Sequence, residues 1–212
     1  MKTLRESLTF IFPVILMMNF SFGQSNSWMQ KAGFPGSLAY GAVGFSIGPV
    51  GYVGMSSDSI DKKEFWSFDP VMNVWTQRAD YGGYARMNAV GFAIGNKGYM
   101  GTGMDIVFGL LNDFWEYDPV FNTWTQKSSF GYYGRENAVG FAVNGKGYVA
   151  TGLFNGTYLN EVWEFDPGSN SWVQKNDFPG LGRDGAVGFS IGNKGYLGTG
   201  HTTGYYTGLN DF

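Results

Sequence analysis

The sequence predicts an all-β fold in which four-stranded antiparallel sheets repeat around an axis, a β-propeller, and three observations carry that expectation. Tryptophans recur at Trp28, Trp75, Trp124 and Trp172, in steps of 47, 49 and 48 residues. Gly-Tyr pairs at Gly51-Tyr52, Gly98-Tyr99, Gly147-Tyr148 and Gly195-Tyr196 keep the same steps. The chain of 212 residues holds 34 glycines and is 18% aromatic, which supplies turn formers and large packing groups together. A period near 48 residues belongs to solenoids and propellers. Four short strands within each period select the propeller blade.

The first segment is of a different kind. Lys2 and Arg5 precede an apolar run, Leu8 to Phe20, and Ser21 and Gly23 are small residues suited to a cleavage site. Residues 1–23 therefore read as a secretory signal peptide, and the protein is expected to be secreted, in the periplasm, at the cell surface or outside the cell. The run is about 13 residues, short of the roughly 20 that a spanning helix needs, so no membrane span is expected. The repeat region, 24–212, opens with a lone strand at 27–31. Three complete units follow, at 41–78, 88–127 and 137–175, and a partial unit occupies 185–212.

The third unit shows why each strand forms. Asn137 to Val143 alternates Ala138, Gly140 and Ala142 with Val139, Phe141 and Val143, the two faces of a strand. The small residues on one face predict an innermost strand crowded at the axis. Asn144-Gly145 tolerates positive φ at both positions and predicts a tight hairpin. Gly147 to Gly152 is the second strand. A polar, glycine-rich connection, Leu153 to Asn160, leads to a third strand, Glu161 to Asp166, with Trp163 and Phe165 on one face. Asp166-Pro167-Gly168-Ser169-Asn170 is a turn. Ser171 to Lys175 is the fourth strand, centred on Trp172. The large aromatics of the third and fourth strands are expected to fill the space between blades.

This unit resembles a kelch repeat of the galactose-oxidase-like propellers. The matching text is the aromatic-Asp-Pro turn followed by Trp: Phe68-Asp69-Pro70 to Trp75, Tyr117-Asp118-Pro119 to Trp124, and Phe165-Asp166-Pro167 to Trp172. Arg86, Arg135 and Arg183 precede the first strands, and Ala39 breaks that pattern in the first copy. Kelch strands usually end on Gly-Gly, whereas Thr102-Gly103, Thr151-Gly152 and Thr199-Gly200 stand here. The resemblance implies six or seven blades. The final Leu209-Asn210-Asp211-Phe212 repeats Leu111-Asn112-Asp113-Phe114, which places the last residue at the start of a third strand. A fragment of a longer propeller is therefore expected, with a closed four-bladed ring as the alternative.

Several function classes are excluded by composition. The formal charge is −3 with no basic cluster, which disfavours nucleic acid. With no cysteine and one histidine, disulfides, thiolate metal sites and copper-oxidase chemistry of the galactose-oxidase kind have no ligands. No cofactor, metal or catalytic residue is assigned. Asp58, Asp61 and Glu64 lack the spacing of a calcium loop. Asn155-Gly156-Thr157 is a weak glycosylation sequon, and GNKGYLGTG recurs as a hairpin rather than as a phosphate loop.

Antiparallel strands place the two long connections of every unit at one end of the sheet, and variable loops on a rigid scaffold are where binding resides. Ligand-binding candidates on them are Arg86, Arg135, Arg183, Glu136, Asp184, Tyr84, Tyr133, Tyr158, Tyr206 and His201. Two outcomes are open. The arginines and aromatics hold a protein or glycan ligand by bidentate bonds and stacking. Alternatively, each arginine supports its own unit, as residues repeated at one structural position do. The expected function is a non-enzymatic binding module. The alternative is a sugar mutarotase or epimerase on the same scaffold, in which the three arginines and Glu136 converge on a central pocket.

Overall fold

The computed structural model describes residues 27–37, 40–54, 63–203 and 208–212. The signal peptide, Asp58, Asp61 and Tyr206 lie outside the described residues. No helix among the described residues is long and apolar enough to cross a membrane. The chain divides into two units, up to Gln30 and Lys31–Phe212, and the sheets described below belong to the second. The strand expected at 27–31 is not formed. Those residues carry no ladder pairing, and Trp28 is fully exposed.

Lys31–Phe212 is all-β and propeller-like. The first sheet joins β1 (Val43–Ile47), β2 (Val50–Gly54), β3 (Phe65–Asp69) and β4 (Val74–Gln77) in that order. The second unit runs β5 (Val90–Ile94), β6 (Lys97–Gly101), a small hairpin β7 (Met104–Asp105) and β8 (Gly109–Leu110), then β9 (Phe114–Asp118) and β10 (Thr123–Lys127). The third repeats it as β11 (Val139–Val143), β12 (Lys146–Ala150), hairpin β13 (Leu153–Phe154) and β14 (Thr157–Tyr158), β15 (Val162–Asp166) and β16 (Ser171–Gln174). The fourth contributes β17 (Val187–Ile191) and β18 (Lys194–Gly198). Every pairing within the sheets is antiparallel, and the register is the same in each copy: Phe45 faces Tyr52, Phe92 faces Tyr99, Phe141 faces Tyr148 and Phe189 faces Tyr196.

First strands begin two residues later than sequence alternation suggests. Gly41, Asn88, Asn137 and Gly185 hold φ of 53° to 69°, in the left-handed region, and so cannot extend a strand. Their backbones instead bond across units. Asn88 N–H donates to Gly41 O, Asn137 N–H to Asn88 O, and Gly185 N–H to Asn137 O. Second strands end early for the same reason, because Thr102, Thr151 and Thr199 hold φ near 60°.

The glycines of the first two strands have a purpose beyond the one sequence suggests. Besides fitting the crowded first strands, they form a floor for the neighbouring unit's side chains. A Cβ on Gly147 would lie 2.4 Å from the ring of Phe92, and one on Gly98 would lie 2.5 Å from Phe45. Gly195 stands in the same relation to Phe141. Aromatics of the third and fourth strands complete the interface as expected: Phe65 meets Tyr117 and Trp124 edge-on, and Phe114 meets Phe165 and Trp172.

A polar latch accompanies this packing. The Asn of each Asp-Pro turn is left-handed, and its side-chain oxygen accepts the N–H of Ala32, Ala79 or Ser128, the residue that follows the preceding unit's last strand or its counterpart. The indole N–H of Trp75, Trp124 and Trp172 then donates to the carbonyl of that same residue at 3.0–3.1 Å. Ala32 takes this part although the described residues before it, 27–31, form no strand. Within each turn, the side chain of Asp69, Asp118 or Asp166 accepts backbone N–H groups two or three residues on.

Two stability outcomes follow from these contacts. Gly147→Ala forces a methyl into the Phe92 ring and should cost about 1–3 kcal/mol by overpacking. Gly51→Ala, at the same position of the first unit, meets nothing within 4 Å and should be neutral or slightly stabilising in urea unfolding. Thr151→Gly removes a β-branched residue from φ 60° and an orphaned buried hydroxyl. Left-handed strain of about 1–2 kcal/mol and an orphan's cost of about 1–3 kcal/mol exceed the two lost carbons, at about 0.8 kcal/mol each, plus about 0.5–1 kcal/mol of glycine backbone entropy, so the unfolding midpoint should rise slightly.

Candidate functional site

The long connections lie at one end of the sheets, where sequence places them. Three of them, those before β5, β11 and β17, contain the arginines Arg86, Arg135 and Arg183, but the guanidinium groups do not converge. Arg86, Arg135 and Arg183 are almost wholly buried, at 2%, 1% and 0% exposure. Arg86 donates to the carbonyls of Tyr84 and Thr102 and to Asp113 Oδ2 at 2.7 Å. Arg135 donates to Thr151 O and to Glu161 Oε2. Arg183 donates to Leu181 O and Thr199 O and grips both oxygens of Asp211 at 2.7 Å. Each also stands over a ring, Tyr81, Phe130 or Phe178, with the cationic carbon 4.5–4.9 Å from its centre.

The left-handed threonine belongs to this network. Its φ turns the carbonyl toward the arginine of its own unit. The following Gly103 and Gly152 donate their N–H groups to the carbonyls of Arg135 and Arg183 in the next unit. The Thr-Gly pair thus binds two successive arginine loops together. Glycine is required at the second position, since a Cβ on Gly152, at φ 101°, would lie 2.9 Å from Glu136 O.

The acid partners orient a further side chain. Trp115 Nε1–H donates to Asp113 Oδ2 at 2.7 Å and Trp163 Nε1–H to Glu161 Oε2 at 3.1 Å. Trp66 does the same with Glu64. Burial opposes ionisation of Glu161, but the bonds from Arg135 and Trp163 outweigh it and hold the carboxyl below its ordinary value of 4.5. Burial also lowers the Arg135 guanidinium from its ordinary range.

Four of the other candidates gather between the third and fourth units. Asp184 and His201 bridge by paired backbone hydrogen bonds, and His201 Nε2 lies 2.9 Å from Asp184 Oδ1. Tyr158 meets the His201 ring edge-on at 5.8 Å. Asn137 donates to Asp184, and Asn88 donates to Glu136 Oε2 at 2.9 Å. Burial raises the Asp184 carboxyl; the charge of His201 and the Asn137 bond oppose that rise, and Glu136 adds to it.

Tyr84 and Tyr133 sit apart from that group and are exposed. Tyr84, 53% exposed, packs on Phe108 of the β7–β8 hairpin at 4.3 Å. Tyr133, 51% exposed, stacks on Phe154 of the β13–β14 hairpin at 4.7 Å. Ile106, Val107 and Tyr132 extend this apolar rim into solvent. Asn155 is exposed in the tip of the same hairpin as Phe154. Beside the first pair lies a cleft of about 580 Å³, lined by Lys63, Gly82 to Tyr84, Leu110 to Asp113, Trp115 and Gln126.

Phe108, Lys63, Trp115 and Gln126 are functional candidates that sequence reasoning missed. Lys63 carries a readable signal, because Asn112, Asn160 and Asn210 occupy its place in the other units. Phe108 carries none, since its hairpin tip, 106–108, is one residue longer than the 155–156 tip of the next unit and does not align with it residue for residue.

The acid–arginine pairs set a pH dependence. Glu161 is depressed in the folded state, so its contribution to stability is complete above 4.5 and is lost as pH falls through the lower native value. Glu161→Gln should therefore flatten the acid limb of the stability profile. Arg135→Lys keeps the charge but loses the fork and the stacking, and should cost about 2 kcal/mol or more in urea unfolding.

No family model matches the chain, and no curated protein matches it. Many solved structures do, 181 chains in all. One titled "Structure of YjhT" aligns with a TM-score of 0.69 at 21% identity, over 82% of this chain and 60% of that one. The chain thus spans less than two thirds of that structure's length. Identity this low speaks to architecture alone: the chain shares an all-β, propeller-like fold built from four-stranded antiparallel sheets.

Proposed function

We propose that this chain is part of a kelch-type β-propeller that acts, after export, as a non-enzymatic binding module for a protein or carbohydrate ligand. The binding surface is the end of the blades that carries the long connections. One observation carries this proposal: in two successive units the exposed loop tyrosine, Tyr84 or Tyr133, packs on a phenylalanine of its own unit's hairpin, Phe108 or Phe154. Each pairs a residue from the loop before the first strand with one from a two-stranded hairpin, so both rings are held by backbone structure. Contiguous exposed apolar surface on a rigid scaffold is a property of interaction sites. The arginines contribute by shaping these loops from beneath. A sugar-isomerising role needs them to meet Glu136 in an open pocket, and their enclosure within separate units gives it no support.

The test is retention of ligands on the immobilised chain, screened against a glycan array and against extracellular protein fractions. Phe108→Asp and Phe154→Asp, each at an exposed or half-exposed hairpin position, should abolish retention while leaving the unfolding midpoint near that of the parent. A chain that retains nothing, or variants that retain ligand as the parent does, would overturn the proposal.

A further inference from the structure

The cleft beside Tyr84 differs from that of the next unit at three points. First, Gly83 keeps the glycine that Gly36 and Gly180 also place here, whereas the next unit has Tyr132. In that unit Tyr132 approaches Trp163 edge-on at 6.2 Å, whereas Gly83 has no side chain to bring toward Trp115. Second, Lys63 replaces the asparagine found at this place in the other units, bringing an ammonium group to the cleft. Third, the side chain of Asn112 lines the cleft with no hydrogen-bond partner among the described residues, while its counterpart Asn160 donates to Phe178 O. Lys63 is the residue of the three that departs from the repeat, and a departing residue is not explained by the repeat's own stability.

The lining has a definite chemical character. Trp115 and Tyr84 supply aromatic surface. The side chains of Lys63, Asn112 and Gln126 have no hydrogen-bond or ion-pair partner among the described residues. Asp113 is already committed to Arg86 and Trp115, which fixes the indole before any ligand arrives. The cleft volume of about 580 Å³ falls inside the roughly 300–1,000 Å³ range of small-molecule sites. Aromatic surface beside free amides and an ammonium group complements a molecule with one apolar face and a rim of hydroxyls.

We propose that this cleft binds pyranose rings of a glycan chain, stacked against Trp115 and Tyr84 and hydrogen-bonded at their hydroxyls by Asn112, Gln126 and Lys63. This rests on the binding-module proposal above and names the carbohydrate arm of it. Gln126 pairs in register with Trp115 across β9 and β10, so its amide and the indole are positioned by the same ladder. The polar groups need no rearrangement of the arginine network to reach a ligand, because that network uses none of them.

Isothermal titration of the full chain with cellotetraose, xylotetraose, chitotetraose and maltotetraose tests this directly. At least one should bind. Gln126→Ala and Lys63→Met should each weaken it about tenfold, the equivalent of one lost polar contact of about 1.4 kcal/mol. Gln126→Trp, a bulky side chain on an exposed strand position, should fill the cleft and abolish binding without lowering the unfolding midpoint. Absence of binding by all four probes overturns the inference while leaving a protein ligand open to the hairpin rim. Binding that survives Gln126→Trp but is lost in Phe108→Asp also overturns it, and assigns the sugar to the hairpin tips instead.

Discussion

The structure depends on one contact made between successive sheets: an aromatic ring of one unit laid on the glycines of the next. Phe45 on Gly91 and Gly98, Phe92 on Gly140 and Gly147, and Phe141 on Gly188 and Gly195 are the same contact three times over. A four-stranded sheet of this size cannot bury its faces alone, so its stability is largely that of its interfaces. The glycine carries no side chain, which allows the ring to reach the backbone, and the ring carries the buried area. The Asn–Trp latch sits at the far end of the same interface and closes off the backbone groups left at the strand end.

This arrangement gives the chain's most conspicuous residues to architecture. Tryptophans of the fourth strands are half inter-sheet packing and half hydrogen-bond donors to a neighbour. The arginines satisfy the carbonyl of a strained threonine and a carboxylate at the entry to the third strand. Their enclosure is tolerated because each charge has a paired acid, a carbonyl and a ring face within reach. What remains for function is whatever the repeat does not consume. That residue of the sequence is aromatic and amide-rich at the loop end, and only weakly charged.

Much of the fold was legible before the structure. The periodic Gly-Tyr and Trp positions placed the three complete units, because strand alternation and turn chemistry are local properties. Errors arose where a local pattern was overruled by a neighbour. Asn137 looks like the first residue of a strand, yet it is left-handed because its backbone bonds to Asn88 and Gly185 in adjacent units. The stretch at 27–31 resembles a last strand but carries no ladder pairing. Of the candidate site, Tyr84 and Tyr133 were legible as exposed loop aromatics, whereas Phe108 and Gln126 were not.

The sequence by itself determined the repeat, its length and the strand order within it, since these follow from hydrophobic alternation, turn residues and a fixed period. It also determined which chemistry is absent, because a chain without cysteine cannot supply thiolate. Only the tertiary structure decided what the repeated residues are for. Whether an arginine faces solvent or a carbonyl depends on where a threonine sixteen residues away points its backbone, and that separation is closed by folding. The same holds for the cleft: Lys63, Tyr84, Trp115 and Gln126 belong to two units and four different segments, and no local pattern brings them to one place.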